Sequence, residues 1–378
     1  MSARRSAGLV AAVLAAGLLL RAAYLASQPA VDPTFDRPIL DGRYYADWAS
    51  ALVAGTGPAG AFYLAPLYPY ALSALWRLRG PDFGTLYALQ HLLMLAAAGL
   101  LAAVARRRAG TGAACAVAGL YVLHHPLLFF ASMPLGEPLA LSLLALALYS
   151  AERETRAGAA TAGLALGLAA LARPNLLVVP VLWAAAELRA GRKLAAALLV
   201  AGVALPLVPA AVHNGLASGH LVLISSNGGM TAYHGNGPGA GGTFTQPAGF
   251  SGSLAGQREE ATAIARERSG LPLDAVEADR WWGRQAWRER WRDPLGTARL
   301  VATRARLLAD SREHGLDQHP RLDDDPWRPT FGFGRPNPVS RGKLPELEIP
   351  WVPFGLLLGL ALAALVTAGE GGAGGRRV

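Results

Sequence analysis

The chain has 378 residues, of which 52% are hydrophobic and 16% charged. Soluble domains carry roughly 25% charged residues, so this balance excludes an ordinary water-soluble domain. Its formal charge of +9 informs only through the placement of Lys and Arg between apolar segments, and the single cysteine, Cys115, excludes an intrachain disulfide.

Apolar stretches of the length needed to cross a hydrocarbon core, about 17–25 residues, recur along the chain. The first, Ser6–Ala26, follows Arg4 and Arg5 in the manner of a signal peptide. Further spans follow and no small-x-small cleavage site stands out, so it reads as an uncleaved anchor. The next stretches are 62–78, 85–105, 112–131, 138–150, 157–172, 174–188, 193–212 and 351–368. If every one crossed, Arg106, Arg107 and Arg108 would lie outside and the polar stretch 213–349 inside, against the positive-inside rule. The segment "FYLAPLYPYALSALWRL" at 62–78 carries two prolines and four aromatics in its first nine residues, with Arg77 near its end. It reads as an interfacial or re-entrant helix.

With that change the basic loops 106–108, 153–156 and 189–193 become cytoplasmic, together with Arg376 and Arg377. Residues 27–84, 132–138, 172–175 and 213–349 become exoplasmic. The expectation is an all-α polytopic membrane protein of about eight spans. Residues 1–212 form its transmembrane core, including the first exoplasmic loop 27–84 with interfacial helices. Residues 213–349 form one large exoplasmic loop region, and 350–378 the last span and a cytoplasmic tail.

Within the polar region, "ISSNGGMTAYHGNGPGAGGTF" at 224–244 reads as loop and turns. Its "GNGPG" is a weak phosphate signal, because no strand precedes it and no helix opens from it. Residues 256–310 read as helical, with Trp281, Ala286, Trp287 and Trp291 near helical spacing and arginines between them. Two readings of that helix stand side by side: a tryptophan-arginine face on a membrane surface, or a helix packed on the membrane domain with a solvated basic face. Residues 311–349 read as irregular. Nucleic acid is not an expected partner.

Several polar groups meet on the exoplasmic side. In "ILDGRYYADWA", Tyr44, Tyr45, Trp48 and Leu52 recur at helical spacing, which places Asp41 near the N-cap. There it either caps the helix or takes a proton from an attacking hydroxyl while Arg43 or Arg173 holds a leaving phosphate. Glu137 lies at the exoplasmic lip of a span, as helix-end stabilisation or facing a polar cavity. Arg173, between two apolar runs, either snorkels or binds an anion. His124 and His125 are adjacent, without the i, i+4 spacing of a chelating pair, and read as interfacial.

In order and spacing, "LDGRYYADWA", "APLYPYALSALW", "GEPLALSLL" and "GLALGLAALARPNLLVVP", followed by the Asn/Gly-rich loop, resemble one family. It is the GT-C glycosyltransferases of the dolichyl-phosphate-mannose–protein mannosyltransferase type, family 39, with their bacterial aminoarabinose-transferase relatives. The resemblance covers approximately residues 7–250 and more weakly 278–315, where Glu313 echoes an acid of the second large loop. It implies a GT-C-type bundle in a bacterial inner membrane, and transfer of a sugar from a polyprenyl-phosphate donor to an acceptor hydroxyl on the periplasmic face. Asp41 is then the general base. Arg43, Tyr44, Tyr45, Tyr68, Glu137, Arg173, Asn175, Asn236 and Glu313 are the substrate-binding candidates. No cofactor is expected and no divalent metal is indicated. The chain departs from the family at Gly42, where an acid often follows the Asp, and at Ala65, where aminoarabinose-transferase relatives carry a lysine; the latter argues against lipid A chemistry. The alternatives are a non-catalytic polyprenyl-phosphate-glycan binding protein and a lipid-linked-saccharide flippase. The flippase would need charges along a path through the bilayer, where this sequence shows almost none.

Overall fold

The computed structural model describes residues 3–309, apart from 33, 246, 248 and 251–253. No strand occurs among them. The helices are α1 (Ala3–Val31), α2 (Leu40–Val53), α3 (Leu67–Arg79), α4 (Phe83–Leu123), α5 (His125–Phe129), α6 (Glu137–Ala151), α7 (Arg156–Ala172), α8 (Val178–Arg189) and α9 (Lys193–Ser218). Four more follow: α10 (Gly228–Asn236), α11 (Leu254–Ser269), α12 (Ala275–Arg292) and α13 (Pro294–Ala309). The apolar stretch 351–368 and the segment 311–349 lie outside the described residues.

Three helices, α1, α4 and α9, are long and apolar enough to cross a membrane; α6 and α7 are shorter apolar helices. α3, read from sequence as interfacial, has 13 residues and a length of about 20 Å. α4 runs over 41 residues, but Gly110 at φ 82°, ψ −172° breaks it. The Tyr121 hydroxyl lies 3.5 Å from the Met94 sulfur, two residues that a straight helix would hold about 40 Å apart. α4 is therefore an antiparallel hairpin whose tip carries Arg106, Arg107 and Arg108. Its two arms pair as the separate stretches 85–105 and 112–131 require, the second arm ending at Leu123.

The bundle is held by small residues, as expected where lipid tails remove any hydrophobic drive between helices. A β-carbon on Gly17 of α1 would meet Val122 at 2.6 Å and Leu95 at 3.4 Å, so both arms of α4 press on this point. On α7, "GLALG" sets Gly163 against the backbone of Leu199 and Gly167 against that of Val203, where a β-carbon would lie 2.6 Å from the Val203 carbonyl oxygen. The register rises together on both helices, so α7 and α9 run parallel, and α8 is the return connection from the end of α7 to the start of α9.

This geometry sorts the connections into two ends. At one end lie the α4 tip and the loops 152–155 and 190–192. At the other lie the end of α1, the turn before α6, the end of α7 and the end of α9, from which α10–α13 continue. Asn214, fully buried near the end of α9, ties that end together. Its Oδ1 accepts from the Phe62 N–H at 2.8 Å, and its Nδ2 donates to the carbonyls of Val222 (3.1 Å) and Ile224 (3.0 Å).

The stretch 224–244, expected as loop and turns, contains the helix α10. Asp279 of α12 makes it, accepting from the N–H groups of Gly229 (3.0 Å) and Met230 (2.8 Å) at the helix start. Gly229 lies directly against the Asp279 backbone, so its lack of a side chain serves helix contact rather than a turn.

Candidate active site at one end of the bundle

Asp41 sits in the first turn of α2, whose N-cap is Ile39 and has no side-chain hydrogen bond. Among the described residues no hydrogen bond reaches the Asp41 carboxylate, so it does not serve as a cap. It is half-buried, and burial raises its pKa above the ordinary carboxylate value; the nearby Arg173 guanidinium partly opposes the shift. An unbonded carboxylate with raised basicity is what a general base requires.

Three turns converge on it. Gly42 packs against Pro134 of the turn 132–138, where a β-carbon would lie 3.0 Å from the proline Cγ and 3.2 Å from its Cδ. Gly136, two residues on, lies against the Ala172 carbonyl oxygen at the end of α7, at 3.0 Å from its own would-be β-carbon, and 3.7 Å from Tyr68 Cβ. The next residues in each turn, Glu137 and Arg173, form an ion pair. The first residue of α6 is thus joined to the residue ending α7. One Glu137 oxygen, Oε2, is buried and without a partner.

An aromatic wall stands beside this group. Tyr44 packs edge-on to Tyr45 and Trp48 and lies 6.4 Å from the Tyr63 ring. Tyr45 is buried and meets Tyr68 at 5.4 Å, ring to ring. Burial raises the pKa of Tyr45, with the Asp41 charge adding to it, and raises that of Tyr44. Both phenols therefore stay protonated.

The remaining candidates are placed differently. Arg43 lies on the opposite, exposed face of α2, 3.6 Å from Asp47; the cation beside Asp41 is Arg173. Tyr68 is buried, and its hydroxyl donates to Gln90 Oε1 at 2.7 Å. Asn175 is exposed in the short turn Pro174–Leu177. Asn236 closes α10, where its Oδ1 accepts from Arg304 at 3.1 Å, within the helices that follow α9. Glu313 lies outside the described residues.

Other residues join the site that the sequence reading did not select. α11 brings Gln257 to the Tyr63 hydroxyl at 2.7 Å and lays Arg258 over Gly60. Below the turn 132–138, Gln90 donates to the carbonyls of Ala131 (3.0 Å) and Met133 (2.7 Å). Its neighbour His91 contacts Ser132 Oγ at 2.9 Å through Nε2 and Arg21 at 3.1 Å through Nδ1. Arg21 is 1% exposed. This buried cation qualifies the expectation of nearly charge-free spans: it sits in the anchor, bonded to the scaffold of the turn. Only its position in "LLLRAAYL" signalled it.

Among the described residues, one group offers metal-ligand atoms within 4.8 Å of each other: His220, Asp274 and Glu277. These side chains are already committed to one another and to the start of α12. Asp274 accepts from Val276 and Glu277 N–H and lies 2.5 Å from His220, while Glu277 accepts from Asp274 N–H at 2.9 Å. That is a capping box rather than a metal cradle.

Compared with known protein families, with curated proteins and with solved structures, the chain finds no match in any of the three.

Proposed function

We propose that this chain is an integral membrane glycosyltransferase that moves a sugar from a polyprenyl-phosphate donor to an acceptor hydroxyl at the exoplasmic face of a bacterial inner membrane. One observation carries the reading: Asp41 is a carboxylate free of hydrogen bonds, raised in pKa, and beside Arg173 at the meeting point of three turns. The donor class comes from the resemblance of the segments around Asp41, Pro66, Glu137 and Arg173 to the GT-C family. In the arrangement we infer, the anchor, both arms of α4, α6, α7, α8 and α9 cross the bilayer. The arginine-rich α4 tip then faces the cytoplasm and Asp41 the opposite side.

In the reaction, Asp41 accepts the proton of the acceptor hydroxyl as its oxygen attacks the anomeric carbon. The bond between that carbon and the phosphate oxygen breaks, and the lipid monophosphate leaves with the electron pair. Arg173, oriented by Glu137, meets the charge that develops on the phosphate. Attack and departure on opposite faces invert the anomeric centre.

The test uses purified protein with a panel of labelled polyprenyl-phosphate sugars. Release of label by the wild type, lost in Asp41→Asn while lipid binding persists, supports the reading. Folded protein inert toward every donor, or an Asp41→Asn variant as active as the wild type, ends it. Lipid binding without turnover in either form favours a non-catalytic binding protein.

A further inference from the structure

α12 begins at the site end of the bundle. Its cap Asp274 contacts His220, and Arg280 donates to the Leu221 carbonyl at 3.0 Å, just beyond the end of α9 at Ser218. The start of α12 is thereby fastened to the mouth of a 26-residue apolar helix. Its inner face is closed: Val276, Ala278, Trp282 and Ala286 are buried, and the Trp282 indole donates to the Ala261 carbonyl of α11 at 3.0 Å.

The outer face is the reverse. Trp287 is 67% exposed, Trp291 75% and Leu295, on α13, 63%. Arg284, Arg288 and Arg292 surround them and are exposed as well. The two indoles, one turn apart on α12, and Leu295 at the start of α13 are exposed apolar surface that water does not favour. Charges of a single sign flank it, apart from Asp293 at the helix end. Indoles settle at the headgroup level of a bilayer, and guanidinium groups pair with phosphates there. A second copy of this chain would bring two arginine-rich strips face to face, which like-charge repulsion opposes.

We propose that the strip Trp287–Trp291–Leu295, with its arginines, seats on the anionic headgroup layer of the membrane that the bundle crosses. Seating it there also places α11, against which α12 packs, and so the reach of Gln257 and Arg258 to the aromatic wall beside Asp41.

The full chain, reconstituted in lipid nanodiscs, tests this without any donor sugar, so its outcome is separate from that of the transferase reading. The discs hold phosphatidylcholine brominated at shallow acyl positions, with or without about a third phosphatidylglycerol. Tryptophan quenching is read in the wild type, in Trp287→Phe/Trp291→Phe, and in Arg284→Gln/Arg288→Gln/Arg292→Gln. The expected result is that the tryptophan variant loses a shallow-quenched component. Phosphatidylglycerol increases quenching in the wild type, and the arginine variant loses that increase. Quenching unchanged by Trp287→Phe/Trp291→Phe, at unchanged helix content, overturns the proposal. So does a change of oligomeric state in that variant, measured by light scattering, since the strip would then join copies of the chain.

Discussion

Gly42 and Pro134 stand so close that a β-carbon on the glycine would lie 3.0 Å from the proline Cγ. At the position after Asp41 this chain has no side chain, and the neighbouring turn occupies the space. Gly42→Ala is expected to destabilise the protein modestly. Gly42→Glu, which must displace Pro134 and with it the turn bearing Glu137, should cost about 1–3 kcal/mol. Thermal unfolding in detergent measures both, and the glutamate variant should also lose transfer activity beyond what its lowered stability explains.

Asp41 predicts a pH dependence with a definite sign. Its pKa is raised by burial and held back by Arg173, and in the proposed role of base it acts only when ionised. Activity should therefore fall as pH drops through a value above the ordinary carboxylate range. Arg173→Met removes the opposing charge and leaves Glu137 unpaired, both of which favour the protonated acid. The acid limb of the profile should move to higher pH. Because folding raises this pKa, ionising Asp41 destabilises the folded state progressively as pH rises from the unfolded value to the folded one. Asp41→Asn should thus be at least as stable as the wild type at neutral pH while inactive, by thermal unfolding and donor turnover.

Asn214 predicts a structural lesion at a distance. Replacing it with Leu leaves the Phe62 N–H and the Val222 and Ile224 carbonyls buried without their partners. Unsatisfied buried groups cost about 1–3 kcal/mol each. A loss of several kcal/mol is expected, together with increased amide exchange at residues 60–63, measured by hydrogen–deuterium exchange.

Gly167 carries the parallel contact of α7 with α9. A β-carbon there would lie 2.6 Å from the Val203 carbonyl oxygen and 2.7 Å from Pro206 Cγ. Gly167→Ala should push the helices apart and cost about 1–3 kcal/mol, seen as a lowered unfolding midpoint. Gly8, with open space around it, is the control, and Gly8→Ala should be silent.

Much of this arrangement is legible in the chain because hydrophobic length and arginine placement are local signals. They mark the anchor, the segments from Phe83 to Ser218, and Asp41 at the tip of an aromatic helix. What they leave out is set by partners far along the chain. Gly228 and Gly229 read as turn residues until Asp279, some fifty positions later, supplies the cap that turns them into a helix start. Arg21 meets its partner His91 only 70 positions further along the chain. Arg43 and Arg173 are equivalent cations in sequence, and only the convergence of turns assigns one to Asp41 and the other to the exposed face with Asp47. The four tryptophans of α12 divide between core and surface by a rotation that spacing alone does not fix.

The hairpin at Gly110 and the brief returns at 152–155 and 190–192 leave one pole of the molecule with almost no chain to vary. Among the described residues, the longer connections available for insertion, exchange or redesign are gathered at the opposite pole. Grafting new loops there would change what is recognised while the helical frame is inherited intact.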